Sequence, residues 1–352
     1  MPVEDRVLEL AGEVQPPDGA AIEWARERHL VLTKPLGSLG CLEELGARLA
    51  GMAGEVPPPA LEGPAVVICA GDHGVLSRGV SPWPREVTAA MVKNLCAGGA
   101  AANVLARTIG ARVSVLDVGV DAELERHPLL RKAKVRLGTD DLSRGPAMGR
   151  EDTARALISG AGIAEELIES GVDLIVTGDM GIANTTPASA LISAFTGRPP
   201  EEVTGRGSAI DDETLKLKIG VVEEALRLHE PDPDDPLGTL TALGGLEHAA
   251  IAGLLLMGAV YGVPVVLDGV VSNSAALVAH ALAPDCVSYL IAGHLSTEPG
   301  ARVALEHLGL EPLLDLRLRL GEGTGGLLAV PVVRAAARVL REMATMEEAG
   351  IG

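Results

Sequence analysis

Short aliphatic runs alternate with longer stretches in which apolar residues recur every three or four positions, beginning near residue 65 and continuing past residue 300. The runs at residues 65–70, 113–118, 173–177, 263–267 and 288–292 are rich in aliphatics. They predict strands buried on both faces of a parallel sheet. Helical spacing predicts helices over residues 84–97, 100–109, 152–170, 212–229, 246–261, 274–282 and 299–308. Pro84 and Pro299 suit first-turn positions, and Asp211-Asp212 suits an N-terminal cap. Ahead of the first strand, residues 20–32 and 41–53 also read as helices, joined by the glycine-rich TKPLGSLG turn and closed by Pro57-Pro58-Pro59.

Strand and helix in alternation are the signature of βα units, although strand order stays open. The acidic, proline-rich residues 230–236 read as a surface linker. Residues 249–267 are uncharged over a membrane-like length, but Gly253, Gly258, Gly262 and Pro264 interrupt them and Asp268 closes them. A buried helix running into a buried strand is expected there, with no membrane partner.

The 352 residues are 47% hydrophobic, enough for a sizeable core in one large domain or two smaller ones. Phe195 is the only Phe, so the core must be filled by Ala, Val, Leu and Ile. Acidic residues outnumber basic ones 48 to 29, giving a net charge of -19, which argues against nucleic acid as a partner. A small phosphorylated ligand is compatible with that charge: repulsion is screened beyond about 8 Å at physiological salt, and a nest of N–H groups with one Lys can hold a phosphate. Cys41, Cys69, Cys96 and Cys286 are widely spaced and read as reduced thiols of a cytoplasmic protein. The acidic MPVEDRVLEL start does not read as a signal peptide.

Ligands of open parallel sheets bind beyond the carboxyl ends of the strands, so the residues just after each strand are informative. AVVICA is followed by GDHGV, DLIVT by GDMGIANTT, VPVVL by Asp268-Gly269, and YLIA by Gly293-His294-Leu295-Ser296. Four abrupt changes from aliphatics to Gly with Asp, His, Asn, Thr or Ser suggest one shared pocket, although Gly, Asp and Asn are also ordinary turn formers. Residues 178–186, with Gly181, Asn184 and Thr185, are the best anion-binding candidate, because small residues admit backbone N–H groups to a phosphate and Pro187 fits the first turn of a following helix. Gly205-Arg206-Gly207-Ser208 and Lys218 offer a second phosphate contact.

Gly321-Glu322-Gly323-Thr324-Gly325-Gly326 has dinucleotide-fingerprint spacing but lies too near the C-terminus to complete a βαβ unit. Glu322, flanked by glycines, suits a base on a closely approachable loop; a turn glutamate facing water is the other reading. The eight histidines show no HExxH or His-x-His spacing, and Asp72-His73 are no obvious chelating pair, so no metal is expected.

At these residues the chain resembles the nicotinate-nucleotide–dimethylbenzimidazole phosphoribosyltransferases, the CobT family. The resemblance runs in order through LTKPLGSLGCLEELGARLAG, AGDHGV, GVSPWPREVTAAMVKNLCAGGAAANVLAR, LDVGV, GPAM, GDMGIANTTPASA, GRGSAIDDETLKLK, LGGLEHAAIAG, PVVLDG, AGHLSTEPG and LEHLGLEPLLDLRLRLGEGTGG, with MATMEEAGI similar to the family's closing segment. It implies an α/β fold with a doubly wound, mostly parallel Rossmann-like sheet over residues 60–325 and a small helical domain from residues 1–59 and 326–352, assembled as a homodimer without a cofactor. It also implies a reaction in which nicotinate mononucleotide and 5,6-dimethylbenzimidazole give α-ribazole 5′-phosphate and nicotinate. Carried over by motif, Glu322 is the catalytic base, Gly181, Lys218 and Ser296 hold the phosphate, and Ser81 and Trp83 line the base pocket; Asn184, Thr185, Arg206 and Asp268, from the loop and strand-end clusters, are further candidate phosphate or ribose contacts. Two positions depart from the family pattern: Asp179 stands in place of a glutamate, one methylene shorter, and Ala183 in place of a glycine. The first puts a supporting catalytic role for Asp179 in question.

The chemistry asks little more of a protein. Nicotinate leaves a pyridinium as a neutral ring nitrogen, and the positive charge building on the ribose can be offset by a carboxylate. The benzimidazole must lose its N–H proton, which a positioned glutamate can accept. Transfer to another lower-ligand base, such as adenine or a phenol, and a non-catalytic nucleotide-binding role are the alternatives; a nicotinamide dehydrogenase is disfavoured by the misplaced fingerprint.

Overall fold

The computed structural model describes residues 2–207 and 210–351; Ser208, a candidate phosphate contact, lies outside them. In chain order the elements are α1 (Val3–Glu13), α2 (Gly19–Val31), α3 (Cys41–Ala53), β1 (Pro64–Gly71), α4 (Glu86–Cys96), α5 (Ala101–Ile109), β2 (Arg112–Gly119), β3 (Leu130–Lys132), α6 (Arg150–Glu169), β4 (Leu174–Met180), α7 (Thr185–Thr196), α8 (Pro200–Val203), α9 (Asp212–His229), α10 (Pro236–Leu243), α11 (Leu246–Val260), β5 (Val265–Leu267), α12 (Val270–Leu282), β6 (Leu290–Ala292), α13 (Pro299–Leu308) and α14 (Thr324–Glu342).

The strands form one six-stranded sheet in the order β3-β2-β1-β4-β5-β6, and every pairing is parallel. From β1 the chain first moves outward through β2 and β3, then returns to the other side of β1 and moves outward again. The crevice between the carboxyl ends of β1 and β4 is therefore the topological switch point, where doubly wound sheets bind ligands. The register there sets Cys69 opposite Asp179 and Ala70 opposite Met180.

Both faces of the sheet are covered by helices, as the unbroken aliphatic strands require: β1 is buried at all eight positions. α11 is apolar all round and buried along nearly its whole length, the pattern of a helix enclosed by other elements. It lies against α6 at close range. A Cβ at Gly160 would meet Ala250 O at 1.8 Å, and one at Gly253 would meet Leu157 O at 1.9 Å, so only glycines allow the two backbones to approach this far. The uncharged run at residues 249–267 is thus a buried helix followed by β5, and no helix among the described residues is long and apolar enough to cross a membrane. A second, smaller core joins Ala21, Ala25, Ala47, Ala50 and Leu340 of α2, α3 and α14.

All five expected strands form, but β3 was not foreseen. Its Leu-Arg-Lys sequence is short, charged and on the sheet edge, where charge blunts pairing with other chains and hides the strand pattern. α12 begins four residues before the expected start at residue 274, because Val270 and Val271 extend the β-branched run of β5 and read as strand. α1, α8, α10 and α14 were also missed. α10 follows the acidic linker, with Asp235 accepting from Gly238 N at 3.0 Å and Pro236 at its first position.

Candidate active site

A cavity of about 570 Å³ opens at the carboxyl ends of β1, β4, β5 and β6, lined by Ser81, Trp83, Asp179, Gly181, Asn184, Thr185, Arg206, Lys218, Ser296 and Glu322 among others. That volume is typical of small-molecule sites. A cleft of about 650 Å³ against the β3 edge, lined by Arg126, Arg131 and Glu166 among others, brings together none of the residues named from sequence.

Glu322 is 4% exposed and sits in the left-handed region at φ 60°, between Gly321 at 85° and Gly323 at 80°. A non-glycine residue held there is strained and persists only where its surroundings over-determine it. Gly323 has a second reason for lacking a side chain: a Cβ would meet Val66 Cγ2 at 2.6 Å. The loop therefore runs directly over the central strands β1 and β4, which brings the Glu322 carboxyl into the cavity wall. Burial first, and the Asp268 charge second, push that carboxyl above its ordinary value, while the Ala102 backbone amide of α5 pulls the other way. Its Oε2 atom is buried with no partner.

Asp179 lies at the end of β4 and accepts from Asn184 Nδ2 at 2.8 Å. Burial pushes its carboxyl up to about 8; the Asp268, Glu247 and Glu322 charges add to this and the Asn184 amide opposes it. Asn184 is the N-cap of α7 but makes no side-chain cap bond to the helix; Asn184 N and Thr186 N bond to Gly181 O and Ala183 O and Pro187 has no N–H, so Thr185 N is the donor this N-terminus can offer an anion. Gly181 forms the floor of the cavity, because a Cβ there would stand 2.3 Å from Gly71 O.

Lys218 reaches the same region from α9, almost wholly buried, donating to Thr185 Oγ1 at 2.7 Å and to Gly205 O at 3.1 Å. Burial lowers its ammonium to about 8, opposed by the Glu298 charge. Glu298 Oε1 accepts from Gly207 N at 2.9 Å, and Arg319 Nη1 donates to Gly207 O at 2.9 Å. The two contacts tie residues 205–207 to the start of α13 and to the irregular segment leading into Glu322. Ser296 Oγ accepts from Glu298 N at 3.3 Å. Trp83, 52% exposed, stands at the mouth, where Trp83 N donates to Ser81 Oγ at 3.3 Å.

Two sequence expectations change here. Arg206 lines the cavity, but its guanidinium donates to Ile210 O at 2.9 Å and pairs with Asp212, so it braces its own loop. Asp268 does not line the cavity. Its carboxylate accepts from Gly323 N, Gly325 N and Gly326 N at 3.2, 2.7 and 3.1 Å, capping α14 from behind Glu322. A strand-end Asp announces a polar side chain near the site, but its direction depends on where the C-terminal helix docks. Glu298, Arg319 and His294 line the cavity without having been named as site residues; alternation of Arg with Leu in LRLRL was the one signal for Arg319.

Spacing also hid a buried cluster behind the floor. His73 Nε2 lies 2.7 Å and His248 Nδ1 2.9 Å from Glu247 Oε1, all three side chains being fully buried. The donor set would suit a divalent metal, but these are hydrogen-bond separations. His73 Nδ1 and both ring nitrogens of His248 have no hydrogen-bond partner, His248 Nδ1 being close to Glu247 without hydrogen-bond geometry, whereas metal-bound imidazoles almost always have a partner on the remote nitrogen. The His73–Glu247 hydrogen bond joins the loop after β1 to the first turn of α11.

A family model described as phosphoribosyltransferase matches residues 14–351. A nicotinate-nucleotide–dimethylbenzimidazole phosphoribosyltransferase of Salinispora tropica is 53% identical over 352 aligned residues, covering 96% of this chain and 97% of that one. One from Chloroflexus aurantiacus is 51% identical, covering 99% of each. The crystal structure of the enzyme of the same name from Thermus thermophilus superposes with a TM-score of 0.90 at 50% identity, covering 95% of this chain and 99% of that one. Matched along nearly its whole length in sequence and in fold, the chain belongs to the nicotinate-nucleotide–dimethylbenzimidazole phosphoribosyltransferase family.

Proposed function

We propose that this protein transfers the phosphoribosyl group of nicotinate mononucleotide to 5,6-dimethylbenzimidazole, releasing nicotinate and forming α-ribazole 5′-phosphate. The observation that carries the reading is one cavity with a buried carboxyl on one wall, Glu322, and a buried ammonium beside a helix N-terminus without a side-chain cap on another, Lys218 and α7. The phosphate is held by Lys218, Thr185, the Gly181 floor and Ser296. The benzimidazole enters past Ser81 and Trp83. One ring nitrogen attacks C1′ opposite the pyridinium, the C1′–N bond to nicotinate breaks with its electron pair going to the pyridine nitrogen, and Glu322 takes the proton from the other benzimidazole nitrogen. Attack from the far side turns the β-linkage into an α-linkage.

Asp179 supports the same step. In the free protein its raised pKa keeps it protonated near neutrality; a pyridinium cation beside it favours the carboxylate, which then faces the positive charge developing on the ribose. No cofactor enters the scheme. A cytoplasmic homodimer belongs to the same proposal, supported by the family resemblance, as does the division into an α/β unit over residues 60–325 and a helical unit from the chain ends; a small cluster of α2, α3 and α14 supports the latter, although Leu45 and Leu49 of α3 and Val330 and Val333 of α14 pack into the main core. The test is nicotinate release followed with and without added dimethylbenzimidazole, with product mass measured. Release must require the base and yield the ribotide; release that is indifferent to the base would dismiss the reading.

A further inference from the structure

The Glu322 side chain is held at one point only, by the Ala102 backbone amide; Oε2 has no partner and the backbone is left-handed, so the loop itself must be fixed from elsewhere. The constraint comes from two neighbouring strand ends. Asp268, just after β5, accepts three N–H groups from residues 323–326. Helix N-termini are ordinarily capped by the side chain of the N-cap residue, but the N-cap of α14 is Gly323, which has no side chain. Capping is thereby delegated to a residue on the sheet, and the loop bearing Glu322 is fastened to β5.

His294, just after β6, completes the clamp. Its Nε2 lies 3.5 Å from Asp268 Oδ1. Its ring fills the space over Gly325, where a Cβ would come within 1.9 Å of Cδ2. It is 2% exposed and its Nδ1 has no partner, and the same ring forms part of the cavity wall beside Glu322.

We infer that Asp268 and His294 are a positioning pair that aims the Glu322 carboxyl at the acceptor base. The inference rests on Glu322 being the proton acceptor. Asp268 fixes the backbone on the C-terminal side of Glu322, and His294 keeps Asp268 and the first turn of α14 from shifting. Asp268 also places a negative charge beside Glu322, which raises its proton affinity. The other titratable group facing this point is Asp179, from the end of β4.

The test compares Asp268→Asn, His294→Ala and His294→Gln with Glu322→Gln. The carboxamide of Asp268→Asn presents a donor where one of the N–H groups now finds an acceptor, so the loop must move. Misplacement of a reacting group by about 1 Å can cost about 10²-fold. Asp268→Asn is expected to lose about that much in kcat, with KM for the mononucleotide little changed, and to move the acid limb of the kcat profile to lower pH. His294→Ala should lose kcat in the same manner, and His294→Gln, which keeps a donor at the reach of Nε2, should recover most of it. Adding Asp268→Asn to Glu322→Gln should lower kcat no further, because a positioning residue has nothing left to position. Should Asp268→Asn fail to fold, the two His294 variants still decide. Parental kcat and pH profile in His294→Ala and Asp268→Asn, beside an inactive Glu322→Gln, would overturn the pair and leave the base assignment standing. Full activity in Glu322→Gln would instead remove the reading on which the pair depends.

Discussion

Asn184 turns its side-chain amide away from the helix it begins and donates to Asp179 Oδ2 at 2.8 Å. One contact thus settles two features: the α7 N-terminus is left without a side-chain cap, and the buried Asp179 carboxyl has a single polar partner among the described residues.

Burial and the neighbouring negative charges, opposed by Asn184, decide how Asp179 acts on stability. Its folded value of about 8 lies above the ordinary one of about 4. Between those values the folded chain holds a proton that the unfolded chain has released, so stability is full below about pH 4 and falls as pH rises towards 8. Asp179→Asn keeps an acceptor for Asn184 and does not titrate. Its Tm is expected to fall less than the parent's between pH 5 and pH 8, and turnover at neutral pH should stay within about tenfold, since the supporting charge is a smaller contribution than the base itself. Parallel Tm curves for the two proteins would refute this.

Glu322→Gln removes the proton acceptor while keeping the shape of the side chain. We expect kcat to fall by about 10²–10⁴-fold, with the KM for nicotinate mononucleotide nearly unchanged. Steady-state assays at saturating base make the comparison, and near-parental kcat would exclude Glu322 from the role.

Lys218→Met should act on binding. A buried charged hydrogen bond contributes about 1.5–3 kcal/mol, so KM for the mononucleotide is expected to rise about 10–100-fold. Calorimetric titration of the mononucleotide gives the same quantity directly; an unchanged Kd would show that the phosphate lies elsewhere.

The pH profile follows from the same two groups. Glu322 must be ionised, so kcat/KM falls as pH drops through a pKa above the usual carboxylate range. Lys218 must be protonated, so kcat/KM also falls as pH rises through about 8. In the kcat profile, which reports the bound complex, the phosphate holds Lys218 charged and the alkaline limb moves upward. Asp179 titrates in the same region, so the discriminating measurement is made on variants: Asp179→Asn should keep the alkaline limb of kcat/KM and Lys218→Met should lose it.

Ala183 adopts φ 75°, a conformation that costs an L-residue roughly 1–2 kcal/mol, where the family pattern has glycine. Ala183→Gly relieves this strain at an entropic cost of about 0.5–1 kcal/mol. A net gain of about 0.5–1 kcal/mol in urea unfolding is expected, with activity retained. Destabilisation would mean that the methyl group packs well enough to outweigh the strain.

Sequence periodicity was enough for the buried strands, because strands covered on both faces must be aliphatic throughout, and β1, β2, β4, β5 and β6 stand where the pattern puts them. Of the four strand-end clusters, those after β4 and β6 and Gly269 after β5 line the cavity, whereas residues 71–75 after β1 and Asp268 do not. Periodicity missed β3, whose three residues lie at an edge and carry charge, and it could not give the order β3-β2-β1-β4-β5-β6, which depends on where each helix crosses. The direction of individual side chains belongs wholly to the tertiary structure. Asp268 and Glu322 are 54 positions apart in sequence, and only the docking of α14 against β5 turns one into a cap behind the other. The same holds for His73 and Glu247, brought to 2.7 Å by the packing of α11 beneath the switch point. A linear pattern encodes which residues are buried, because burial follows hydrophobicity; which buried polar groups meet is decided by packing, where each carboxylate must find its donors.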